Sequence, residues 1–250
     1  MDSQYGIAGT NPDGRVDIDE DFQHLFDVMK QSSFRHSKGI AGEQPFYIYD
    51  YPPECELEVD RHIPWLMQKL QTMEPEQEDD YAPVVRRVDL YDVVLGILKR
   101  RKILDRVLKI EPRYHAVASS NASQDKFLGM LESILGADSK QLPNAVVEAC
   151  MHPETADNNG DDSNAEYSNT VKPGIIFITG VGAVYPYVRA HTLLNTLQGM
   201  IEDIPVVLFY PGTFQSSATV GSTMTLFNCL EPDNYYRVMR ICDLNVPVGE

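Results

Sequence analysis

Hydrophobic and polar positions along the chain follow two periods, one of strands and one of helices. The runs at 46–51 (FYIYDY), 84–89 (VVRRVD), 175–179 (IIFIT) and 205–210 (PVVLFY) are short, β-rich and mostly apolar, as buried strands are. Arg86 and Arg87 interrupt the second of them, which predicts a sheet edge or a partly exposed face there. Helical spacing appears at 18–31, where Phe22, Leu25, Phe26 and Met29 share a stripe behind the acids at 19–21. A second helix carries Ile63, Trp65, Leu66, Met67 and Leu70, with Pro64 either placed in its first turn, the region of Asp60 capping it, or else kinking the helix. Residues 90–108 give the clearest amphipathic pattern. Further helices are expected at 124–135, 144–150 and 185–201. Residues 214–220, rich in Ser, Thr and Gln, read as a loop. Two strands at 222–230 and 235–241 flank Glu231-Pro232-Asp233-Asn234, which predicts a C-terminal β-hairpin.

Strand, helix and strand over 175–210 make a βαβ unit, so these two strands should be parallel in one sheet. The fold expected is α/β, a mainly parallel sheet flanked by helices. It resembles a degenerate P-loop or Rossmann-like nucleotide-binding fold without a Walker A motif. In such sheets the functional crevice lies beyond the carboxyl ends of the strands. The loops at 180–187 and 211–219 are the ones this unit would place there.

Composition narrows the function classes. The 250 residues carry a formal net charge of −16, which opposes broad affinity for nucleic acid or anionic membranes. The four cysteines form no C-x-x-C pair, so free thiols and a cytoplasmic location are expected. The first residues show no basic segment followed by an apolar one, and no window approaches the roughly 18 apolar residues of a membrane span. One α/β domain over 18–250 is expected, behind a flexible tail at 1–17 and interrupted by a flexible acidic insertion at 152–171.

Several constellations carry candidate chemistry, each with a structural reading beside it. Asp50 ends the first strand and Glu54 follows it; the pair could hold magnesium or perform acid–base work, while helix capping explains both with fewer assumptions. Pro52 and Pro53 remove two N–H donors from the loop where a phosphate cradle would need them. Gly180 and Gly182 open like a dinucleotide fingerprint, yet Tyr185 and Pro186 replace its end. Arg189 could clamp an anion or pair with a neighbouring carboxylate. His191 could serve as a base, although no recognisable nucleophile motif accompanies it. Pro211 and Gly212 complete the candidate crevice. Cys150 and His152 lack the further ligands of a zinc site, so no metal is expected. Lys99, Lys102, Arg106, Lys109 and Arg113 recur at steps of three and four, either a solvated helix face or a basic docking stripe for an acidic protein or nucleic acid.

The blocks FITGVGAVYPYVRAH, VVLFYPG and MTLFNCLEPDNYYRVMRI, with FYIYDYPPE and VDLYDVVLGIL before them, resemble the BrxB family of bacterial BREX phage-exclusion systems. The blocks follow one another in order from 46 to 241, within a resemblance that covers roughly 19–242. The resemblance implies a place in a defence system and, as partners, the PglZ-type protein first, with the methyltransferase and ATPase of the system as wider company. With no catalytic set in view, the function expected is a non-catalytic adaptor with no cofactor. The alternatives are a magnesium-nucleotide sensor or enzyme using Asp50, Glu54 and Arg189, and a DNA-contacting subunit using the basic stripe.

Overall fold

A computed structural model describes residues 17–36, 45–75, 80–115, 126–136, 140–152, 171–217, 221–234 and 238–246. The expected tail lies almost wholly outside these residues, as does most of the expected acidic insertion. Strand β1 (Phe46–Tyr51) is buried at all six positions. The others are β2 (Val85–Asp89), β3 (Ile175–Thr179), β4 (Val206–Ser217), β5 (Gly221–Leu226), β6 (Asp233–Asn234) and β7 (Met239–Arg240). They join in the order β2-β3-β4-β1-β7, with β5 on β4 and β6 on β5. Strand β1 runs parallel to β4 from Phe46 opposite Val206 to Tyr51 opposite Pro211, and parallel to β7 at Tyr47 and Ile48. The mainly parallel α/β sheet therefore forms as the hydrophobic pattern predicts, with β2 and its arginines at one end of the order.

Contacts divide the chain into two compact units. The first is built from residues 1–86, 172–177 and 202–250. Its helices are α1 (Ile18–Met29), α2 (Ser32–Arg35) and α3 (Glu56–Gln71). Helix α1 begins where the Asp17 carboxylate accepts the Glu20 N–H at 3.1 Å, with Asp19, Glu20 and Asp21 in the first turn. Its Phe22, Leu25 and Met29 meet Ile63, Leu66 and Leu70 of α3 over Tyr47, Tyr49 and Tyr51 of β1, which alternation places on one face of the sheet. Phe209 of β4 joins Tyr49 and Phe177 at ring centroid distances of 5.7 and 5.2 Å. Each such side chain contributes about 1.5–3 kcal/mol by leaving water.

Helix α3 starts earlier than the capping pattern around Asp60 suggests. Pro64 lies in its interior rather than its first turn. A proline there leaves the Asp60 carbonyl without its helical donor, at a cost of about 3 kcal/mol when nothing replaces it. Both residues are exposed, so water reaches that carbonyl. In the same unit Arg35 holds Asp80 in a two-pronged pair at 2.6 and 2.5 Å and donates to the Tyr81 and Lys30 carbonyls.

Strand β4 does not stop at Pro211-Gly212. It continues through Ser217, so most of the expected loop at 214–220 is strand, and β5 pairs with that extension in antiparallel register from Gly212 opposite Leu226 to Ser217 opposite Gly221. Alternating Phe214 and Met224 bury one face of this ribbon, which explains why a Ser- and Thr-rich stretch extends. A C-terminal hairpin forms from β5 and β6, but β5 ends at Leu226, the expected turn residues Asp233 and Asn234 are β6 itself, and Met239 and Arg240 pair with β1 instead.

The second unit comprises residues 87–171 and 178–201. It holds α4 (Leu90–Arg100), α5 (Leu104–His115), α6 (Lys126–Leu135), α7 (Gln141–Met151), α8 (Val181–Val184) and α9 (Ala190–Gln198). The expected helix over 90–108 is two helices. Lys102 takes a left-handed backbone at φ 58°, and the Ile103 and Lys102 N–H groups close back on the Leu98 and Lys99 carbonyls at 3.0 and 2.8 Å. This is a Schellman stop. Of the expected helix over 185–201 only α9 forms; α8 precedes it, within the expected turn, and Tyr185 before Pro186 is extended, as residues preceding proline prefer.

Candidate functional site

In the first unit the strand ends converge on Asp50. One carboxylate oxygen accepts from Arg240 Nε at 2.6 Å and the other from the Phe214 N–H at 2.9 Å. The Asp50 side chain is 4% exposed, so the pair is desolvated and each charge depends on the other. Burial disfavours the Arg240 charge, but Asp50 outweighs that and raises its pKa. Asp50 thus joins β1, β4 and β7. Glu54 lies exposed in the 3-10 turn Pro53–Cys55. Pro211 and Gly212 are buried within β4, where a Cβ on Gly212 would run into the Thr225 carbonyl oxygen.

Behind this pair, the Tyr49 hydroxyl donates to Asp21 at 3.0 Å. Burial pushes the Asp21 carboxyl up to about 6 against the opposing effect of the Tyr49 bond and the Arg240 charge. Burial also pushes the Cys242 thiol and the Tyr49 phenol well above their ordinary ranges. Neither becomes a ready nucleophile in such surroundings.

In the second unit the ends of β2 and β3 are tied by Asp89. Its carboxylate accepts from the Tyr91 N–H at 2.9 Å, capping α4, and from the Thr179 hydroxyl at 2.8 Å. Arg87 Nε donates to the same hydroxyl at 3.1 Å. Gly180 follows at φ 77°, and a Cβ there would stand 2.6 Å from the Asp89 carboxylate. Gly180 is a left-handed turn fitted around Asp89, and Gly182 lies in the single turn of α8. Tyr185 ends that turn. Arg189 is the exposed N-cap residue of α9 and borders a shallow, open depression with Leu135, Leu142, Pro143 and Thr192. His191 is half-buried in the first turn of α9.

Lys99, Lys102, Arg106 and Lys109 are exposed along α4, its stop and α5. The Arg113 side chain, also in α5, lies outside the described residues. Cys150 is buried in α7 and His152 is exposed at its end. Among the described residues, no cluster of three or more His, Cys, Asp or Glu could hold a metal ion. No helix among them is long and apolar enough to cross a membrane.

Arg240, Asp89, Thr179 and Asp21 did not stand out in the sequence reading. Arg240, the second arginine of YYRVMRI and set between the apolar Met239 and Ile241, is the signal that could have marked a buried ion pair.

These features define an α/β protein whose strand-end carboxylates hold its own loops and edge strand in place. The chain belongs to the BrxB family of BREX phage-defence proteins: the family model "BREX protein BrxB" matches residues 86–241. It is 31% identical over 228 residues to the BREX protein BrxB of Bacillus cereus (strain H3081.97), covering 90% of this chain and 98% of that protein. It is 22% identical over 213 residues to the BREX protein BrxB of Escherichia coli O9:H4 (strain HS), covering 85% of this chain and 86% of that one. No solved structure gives a significant match.

Proposed function

We propose that this chain is a non-catalytic adaptor of its BREX system, binding other proteins of the system and the PglZ-type protein first. The observation that carries this reading is the state of Asp50. A magnesium nucleotide would need that carboxylate, and both of its oxygens are already engaged, by Arg240 and by the Phe214 N–H. Asp89, its counterpart in the other unit, is engaged in the same way by Thr179 and the start of α4. Polar groups at strand ends that fix loops give a rigid surface, which lowers the ordering cost of binding a partner.

Affinity purification of the tagged chain, co-expressed with the neighbouring proteins of its system, tests the proposal. A stoichiometric complex with the PglZ-type protein is the expected result. Recovery of the chain alone, together with a melting temperature raised by magnesium ATP, would replace the adaptor with the nucleotide-sensor reading. Saturation at about 100 times the dissociation constant would stabilise by about 2.7 kcal/mol, which such a scan resolves.

A further inference from the structure

We infer that the turn between α4 and α5, with the exposed side of α5, is the docking surface for an acidic, leucine-bearing segment of a partner protein. The inference rests on the adaptor reading for there being a partner. It adds the face that is used and the chemistry that is recognised.

Charge is concentrated here against the trend of the chain. Lys99, Arg100, Arg101, Lys102, Arg106 and Lys109 supply six of the 21 basic residues within eleven positions, and all six are exposed. Arg100 reaches Glu148 at 3.5 Å. Among the described residues, no carboxylate pairs with Lys102, Arg106 or Lys109. At physiological ionic strength charges interact over roughly 8 Å, so a short ligand on this surface feels the local cations and not the net −16.

The backbone points to the same place. Lys102 occupies the left-handed position of the Schellman stop, which glycine fills at no steric cost. A lysine kept in that conformation trades stability for a charge at the apex of the turn.

An apolar anchor accompanies the cations. Leu108 is 54% exposed and, at helical spacing, shares a side of α5 with Leu104 and Asp105. Interfaces combine an apolar anchor that loses its water with a polar rim, and an exposed leucine on a helix that also carries Arg106 and Lys109 has that form. This favours protein over nucleic acid. A phosphate backbone offers Leu108 no apolar partner. A duplex, with one charge per roughly 1.7 Å, would also carry its charge past these six cations along a chain of net charge −16.

The test uses the full chain and fluorescence anisotropy with three labelled probes: an 18-residue helical peptide of Glu and Leu at i, i+4 spacing, the same peptide with Gln for Glu, and an 18-base-pair DNA duplex. The acidic peptide is expected to bind at least tenfold more tightly than the other two and to weaken from 50 to 300 mM salt. Lys102→Glu combined with Lys109→Glu, and separately Leu108→Ala, should each weaken it at least tenfold. Lys102→Gly, which relieves the backbone, should melt higher and still bind less well, so a loss of binding cannot be assigned to misfolding. Equal or tighter binding of DNA overturns the inference, as does a peptide affinity that these substitutions leave unchanged. Co-purification separates the two readings. If the wild-type chain assembles with the PglZ-type protein and the charge-reversed chain does so equally well, the surface is wrong and the adaptor stands. If the wild-type chain does not assemble, the adaptor itself fails.

Discussion

Asp50 and Arg240 are separated by 190 residues in the chain and meet at 2.6 Å. The same carboxylate takes the Phe214 N–H from 164 residues away, so one side chain joins an early strand to two late ones. Removing it leaves a largely buried guanidinium with only the exposed Asp243 carboxylate at 3.9 Å and a buried N–H without an acceptor.

Asp50→Ala is therefore expected to destabilise the first unit by about 3–5 kcal/mol, and Asp50→Ala with Arg240→Met by clearly less. Urea denaturation of the four members of the cycle measures both. A single substitution costing under about 1 kcal/mol would mean that the pair does not hold these strands.

Asp21 gives a pH dependence of definite sign. Burial raises its folded pKa to about 6, above the ordinary carboxylate range, with the Tyr49 bond opposing the rise. A raised acid is a proton that the folded state holds more tightly. Its contribution is present at acid pH and is lost as pH climbs from about 4 to 6. Asp21→Asn, still able to accept from Tyr49, should stabilise the protein by about 1–3 kcal/mol at pH 7.5 and leave it nearly unchanged at pH 4. Denaturant midpoints at the two pH values decide the matter.

His62 has the same sign, in a higher pH window. One ring nitrogen faces the Glu58 carbonyl at 2.8 Å and the other the Asp19 carboxylate at 2.7 Å. Two acceptors call for two N–H groups, so the geometry suits the imidazolium. Burial works against the charge, but Glu58 and Asp19 together raise the pKa. The stabilisation is complete below the unfolded pKa of about 6.5 and fades as pH rises through the folded value. Asp19→Asn should lower the pKa of His62 read by NMR titration, with less than about 1 kcal/mol of stability involved because the aspartate is exposed.

Two glycines should respond in opposite directions to alanine. Gly180 needs its left-handed backbone and has the Asp89 carboxylate where a Cβ would go, so Gly180→Ala should cost about 2 kcal/mol or more. Gly96 lies inside α4 with nothing within 4 Å of such a Cβ. Gly96→Ala should stabilise by about 0.5–1 kcal/mol. Thermal melts of both variants give the comparison directly.

The parallel core was legible because FYIYDY, IIFIT and VVLFY are apolar on both faces, which strands covered on both sides require. The helix breaks were harder to see. Lys102 stops α4 through backbone geometry that its residue type does not advertise, and Pro64 sits inside α3 only because that side of the helix is wet. Strand β4 outran its expected end because pairing with β5 supplied donors and acceptors to a polar segment. At the candidate site, Asp50 was visible as a carboxylate at a strand end. Its partners were not, since nothing local in a sequence records a contact across 190 residues.

The place of β1 between β4 and β7 also sets a timetable for synthesis. At roughly 5–20 residues per second, the ribosome needs about 10–40 s to travel from Asp50 to Arg240. Until β4 has been made, β1 has neither of the strands that will flank it, and an unpaired apolar strand is open to wrong partners. The nascent chain thus depends on protection until its last fifty residues emerge, and a ribosome that stops short of Arg240 releases a product unable to close its sheet.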